Sequence, residues 1–117
     1  MSKFSERLSK VTGIKCYLLV RNDGEIITHN FEDENPETIS SILLFTTLNC
    51  EKIKAGFGFR KLRYLTLSKE NNENLLILPL DEHFLGVMQH SNVDSIDLIK
   101  ELMDVVNMAI TAKEIIG

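Results

Sequence analysis

Ile14-Lys15-Cys16-Tyr17-Leu18-Leu19-Val20-Arg21-Asn22-Asp23-Gly24-Glu25-Ile26-Ile27-Thr28-His29-Asn30 reads as two strands folded about one turn. Ile14 to Arg21 is β-rich and almost wholly apolar in its second half. Asp23-Gly24 between apolar runs is the strongest short hairpin signal, because glycine accepts the positive φ that the turn demands. Glu25 to Asn30 is the returning strand.

Downstream, Glu32-Asp33-Glu34 is an acidic loop. Asn35-Pro36-Glu37 then opens a helix. Asn35 is suited to the N-cap, Pro36 to the first helical position, and Glu37 to the positive end of the dipole. The predicted helix runs to about Lys54 and stops before Gly56-Phe57-Gly58. Leu62 to Ser68 reads as a strand, Lys69 to Asn74 as a polar turn, and Leu75 to Leu80 as a strong strand. Asp81-Glu82-His83 is a short turn, and Phe84 to Gln89 completes a three-stranded meander.

Upstream, Phe4, Leu8 and Val11 recur at helical spacing within a short amphipathic helix over residues 2–10, with Gly13 as its stop. At the other end, Asn92 and Asp94 are candidate caps for a last helix reaching about Ile115. Ile96, Ile99, Met103, Val106 and Ile110 recur there at spacings of three and four. The order is α-β-β-α-β-β-β-α, which predicts one α/β (α+β) domain over residues 1–117. Its five-stranded antiparallel sheet is flanked by helices.

The chain has 117 residues, enough to bury a core without a staple. A net charge of −4 disfavours nucleic acid and anionic lipid, which both call for positive charge. No apolar run approaches the ~18 residues that span a bilayer, and the N-terminal residues lack the apolar stretch of a signal peptide. The expected location is cytoplasmic, with no membrane insertion. Cys16 and Cys50 form no C-x-x-C pair and read as small buried hydrophobes.

Taken in order, these elements resemble the roadblock/dynein-light-chain family. Val11-Thr12-Gly13-Ile14 is similar to that family's entry into its first strand, and Asn22 to Ile27 to its aspartate-glycine hairpin. Leu62-Arg63-Tyr64-Leu65, Leu75 to Leu80 with its proline-leucine ending, and Phe84-Leu85-Gly86-Val87 resemble its later strands. The polar turn Asn71-Asn72-Glu73-Asn74 departs from the pattern. The resemblance covers nearly the whole chain, and no single motif in it is specific. It implies a homodimer, or a heterodimer with a paralogous domain, in which central helices pair and sheets join. It also implies small Ras-like GTPases, or motor and signalling scaffolds, as partners.

Catalytic constellations are missing from the sequence. There is no P-loop, and Gly56-Phe57-Gly58 has no following lysine or serine with which to cradle phosphate. His29, His83 and His90 sit at strand ends or turns without metal-ligand spacing. Glu32-Asp33-Glu34 lacks the alternating ligands of a calcium loop. Cys16 with a histidine could form a nucleophile pair, but burial in a strand argues for an inert thiol. Neither cofactor nor metal is expected, and the chain is read as a non-enzyme. Arg60, Lys61 and Arg63 form a small basic patch. It is either a charged sheet edge or a contact for an acidic partner.

The central helix carries the most informative pattern. At about 100° per residue, Ile39, Ile42, Leu43, Thr46, Cys50 and Ile53 share one face, the expected core face. Leu44 and Leu48 fall opposite, flanked by the small residues Ser41 and Ala55, with Phe45 beside them. If the first and last helices cover one side of the sheet and the central helix the other, this second stripe has no cover within the chain. An exposed apolar patch usually marks an interface, so Ser41, Leu44, Phe45, Leu48 and Ala55 are expected to form a dimer seam. The functional expectation is a dimeric regulator or scaffold that binds a small GTPase. The alternative is a small-molecule sensor on a five-stranded sheet, which would require a pocket and polar residues pointing inward.

Overall fold

The computed structural model describes residues 3–32, 34–58, 64–68, 70, 73–80, 82–90 and 94–111. Its elements are α1 (Lys3–Ser9), β1 (Ile14–Arg21), β2 (Ile26–His29), α2 (Pro36–Phe57), β3 (Leu65–Ser68), β4 (Asn74–Pro79), β5 (His83–Gln89) and α3 (Ser95–Thr111). The strands form one sheet in the order β2-β1-β5-β4-β3, each pair of neighbours antiparallel. The predicted order and sheet are both present.

Local chemistry sets the hairpin. Arg21 N–H donates to Glu25 O and Gly24 N–H to Arg21 O, both at 2.8 Å, closing a three-residue loop with Gly24 at φ 98°. A loop of this kind calls for a positive φ, which glycine adopts without strain. Asp23 accepts from Glu25 N–H and is gripped by the Arg21 guanidinium, which holds its carboxyl below the usual carboxylate range. Beyond β2, Asn30 continues the ladder with its side chain. Its N–H donates to Tyr17 O, and its Oδ1 accepts from Tyr17 N–H at 2.7 Å.

The central strands are apolar at both parities because both sheet faces are covered. Tyr17, Leu19, Leu76, Leu78, Leu85 and Val87 pack under α1 and α3, together with Phe4, Leu8, Leu98, Leu102, Val106 and Ala109. On the other face Leu18, Val20, Leu75, Ile77 and Met88 pack with Phe31, Ile39 and Leu43 beneath α2. Gly86 lets α2 approach β5. A Cβ there would meet Leu43 Cδ1 at 3.0 Å.

Three expectations need correction. The buried face of α3 is Leu98, Leu102, Val106 and Ala109, whereas Ile96 is 65% exposed and Ile110 is also exposed. Val106 belongs to both faces, and Ile99 and Met103 are partly buried against the same core, so the buried stripe is offset from the predicted one rather than opposite it. His83 belongs to β5 rather than to the preceding turn, since paired backbone bonds with Leu80 start the strand there. α2 passes through Gly56 to Phe57 and is capped by Gly58 at φ 75°. Asp94 caps α3, accepting from Ile96 and Asp97 N–H. The other cap candidate, Asn92, lies outside the described residues.

Candidate interaction surface

The N-terminus of α2 is fixed as the sequence predicts. Asn35 Oδ1 accepts from Glu37 N–H at 2.9 Å, and Pro36 occupies the first turn. The buried residues are Ile39, Ser40, Leu43 and Thr47. Two of these are hydroxyl residues, and each hydroxyl is satisfied. Ser40 Oγ donates to Gly24 O and Thr47 Oγ1 to Leu43 O.

The core face is thus narrower and shorter than the sequence predicts. Ile42 and Ile53 are exposed, Ile53 at 54%, and Thr46 and Cys50 are only half-buried. Length explains this. A helix of 22 residues is ~33 Å long, whereas strands of four to eight residues reach only ~13–26 Å. Past Thr47 no residue of α2 is buried.

Of the five residues expected at a dimer seam, four are exposed: Ser41, Ala55, Phe45 at 71% and Leu48 at 61%. Leu44 is half-buried instead. Its Cδ1 lies 2.9 Å from where a Cβ on Gly24 would stand, so it leans on the hairpin. Phe57, 76% exposed, extends the apolar surface to the end of the helix. Ile42, Ile53 and Phe57 were not legible as surface residues, because a sequence pattern does not show where a helix outruns its sheet. Arg60, Lys61 and Arg63, the other candidate contacts, lie outside the described residues. The edge strand β3, reached through residues 59–63, exposes Leu67 and is preceded by an exposed Tyr64. Among the described residues no group of three His, Cys, Asp or Glu side chains could hold a metal ion, and no helix is long and apolar enough to cross a membrane.

No protein-family model and no curated protein matches the sequence. Solved structures do. The roadblock/LC7 domain from Streptomyces avermitilis superposes with a TM-score of 0.80 at 13% identity, covering 96% of each chain. Myxococcus xanthus MglB superposes with a TM-score of 0.82 at 13% identity, covering 92% of this chain and 89% of that one. The chain has a roadblock/LC7-type fold. The resemblance read from the hairpin, the meander and the central helix holds at the level of fold. Acanthamoeba castellanii profilin IB shares the architecture more loosely, with a TM-score of 0.66 at 13% identity over 93% of this chain and 94% of that one. A roadblock-type fold therefore does not name a partner, and function has to be argued from the exposed surface.

Proposed function

We propose that the chain is a non-enzymatic, dimeric binding platform in the cytoplasm, that α2 forms its dimer seam, and that its partner is a small Ras-like GTPase. The observation that carries the reading is the exposure of Phe45 and Leu48 on a helix whose other face is already buried. Monomeric soluble proteins rarely leave contiguous large apolar side chains in water without an interface to cover them. Ser41 and Ala55 beside them are small, so a second helix can approach closely, and a two-fold axis makes the patch its own complement. Fully burying a leucine is worth roughly 1.5–3 kcal/mol. Leu48 and Phe45 from two subunits would supply much of a modest interface before association entropy is subtracted. The GTPase half of the proposal draws on the roadblock resemblance. If the chain speeds hydrolysis, it does so by ordering the GTPase's own switch segments.

Light scattering on the parent and on Leu48→Glu tests the seam. The parent is expected to be a dimer at tens of micromolar, and the variant a folded monomer. A monomeric parent, or a variant that stays fully dimeric, would sink the seam. Capture of a small GTPase from the native extract, identified by mass spectrometry, tests the partner.

A further inference from the structure

The chain has one Asp-Gly step, Asp23-Gly24, at the turn between β1 and β2. Such a step is open to a spontaneous rearrangement, because glycine puts no side chain in the way of its own amide nitrogen. The Gly24 nitrogen attacks Asp23 Cγ, a C–N bond forms, and the carboxyl hydroxyl leaves as water with the amide proton. Water then opens the cyclic imide. Opening at the main-chain carbonyl of Asp23 leaves Gly24 attached through Cγ, an isoaspartyl link with an extra carbon in the backbone and no change in mass. Asn22 and Asp23 are exposed, so water reaches the turn.

We propose that the β1–β2 hairpin is a guarded isomerisation site, in which Arg21 and the hydrogen bonds of the turn keep Asp23-Gly24 from cyclising. Both reacting groups are engaged. The nucleophile is the Gly24 nitrogen, whose N–H donates to Arg21 O at 2.8 Å. At the electrophile, Asp23 Oδ1 accepts from Glu25 N–H at 3.0 Å and from Arg21 Nε at 3.1 Å, and Oδ2 accepts from Arg21 Nη2 at 2.8 Å. Cyclisation starts from the neutral acid, since a carboxylate has to take up a proton before water can leave. The guanidinium of Arg21, and after it the Glu25 N–H, keep the Asp23 carboxyl ionised to lower pH than usual. Asn22 N–H, donating to Glu82 O at 2.8 Å, ties the turn to the chain just before β5. The rearrangement would reach beyond the turn. Gly24 O accepts from Ser40 Oγ at 3.2 Å, and Leu44 Cδ1 lies 2.9 Å from where a Gly24 Cβ would stand. Both residues belong to α2, so an extra backbone carbon at Asp23-Gly24 displaces contacts that seat the first half of that helix. These contacts lie within one chain, so the inference stands or falls independently of the dimer.

Prolonged incubation of the full chain at neutral pH, folded in buffer or unfolded in guanidinium chloride, tests the guard. After digestion, the aspartyl and isoaspartyl forms of the peptide that contains Asp23 are equal in mass and are resolved by chromatography. The folded parent is expected to form isoaspartate at least about tenfold more slowly than the unfolded chain, because the hairpin has to open first. Arg21→Gln, shown to be folded by circular dichroism, is expected to react about two- to fivefold faster than the folded parent, the scale that one exposed ion pair supplies. Aged Arg21→Gln is expected to unfold at lower denaturant than the same variant freshly prepared, in step with its isoaspartate content. The proposal is overturned if the folded parent isomerises as fast as the unfolded chain, if folded Arg21→Gln is no faster than the parent, or if the midpoint does not follow the isoaspartate content.

Discussion

Leu43 sits so close above Gly86 that an added Cβ would lie 3.0 Å from its Cδ1 and 3.2 Å from its Cδ2. Leu43 is fully buried and cannot swing aside. Gly86→Ala is therefore expected to lower stability by about 1–3 kcal/mol, as overpacking does. Gly56 supplies the contrast, lying within α2 with nothing inside 4 Å of its would-be Cβ. Gly56→Ala is expected to raise stability by about 0.5–1 kcal/mol through helix propensity. Denaturant midpoints that move in the same direction for both variants would contradict the close seating of α2 on β5. His83 presents a different case, because its Nε2 is buried and has no hydrogen-bond partner among the described residues. Replacing an unsatisfied buried polar group with an apolar one of similar volume removes a desolvation penalty of roughly 1–3 kcal/mol. His83→Leu is accordingly expected to match or exceed the parent in midpoint. A clear fall would show that Nε2 engages a partner in solution.

At the scale of elements, what could be read in advance depended on whether the signal was local. Asp23-Gly24 specifies its turn because few residues tolerate that backbone, and Asn35-Pro36-Glu37 specifies a helix start through its cap and ring. Both hold in the structure. Helix faces were less legible, since Ile96, Ile99, Met103, Val106 and Ile110 make as regular a stripe as Leu98, Leu102, Val106 and Ala109, and the two share Val106. Only the sheet decides between them. Leu102→Ala is expected to cost 2–5 kcal/mol in the manner of core truncations. Ile96→Ala should stay within about 0.5 kcal/mol. Chemical denaturation of the two variants checks the assignment, and a reversal of their order would restore the face that the sequence suggested. The candidate site divides in the same way. Phe45 and Leu48 are visible as a second stripe, whereas the turning of Leu44 onto the hairpin at Gly24 depends on a contact between segments distant in sequence.

For the whole molecule, coverage of the sheet is uneven. One face lies under two helices, while the other lies under a single helix whose last turns leave no residue buried. A second copy seated against α2 would bind the folded chain and not the unfolded one, so stability would rise with protein concentration by mass action. A tenfold increase in concentration adds about 1.4 kcal/mol per mole of dimer. Unfolding releases roughly 2.1 cal/mol/K per residue, and two chains of 117 residues share the transition. The melting temperature of the parent is thus expected to climb by roughly 3 °C per decade of concentration. Leu48→Glu should flatten that dependence and keep the far-ultraviolet spectrum of the parent, because Leu48 takes no part in the monomer core. Leu43→Glu, in contrast, strikes the core beneath α2 and should fail to fold at any concentration. A parent whose melting temperature ignores concentration would remove the homodimer. A Leu48→Glu chain that is unfolded like Leu43→Glu would move Leu48 from the seam into the core.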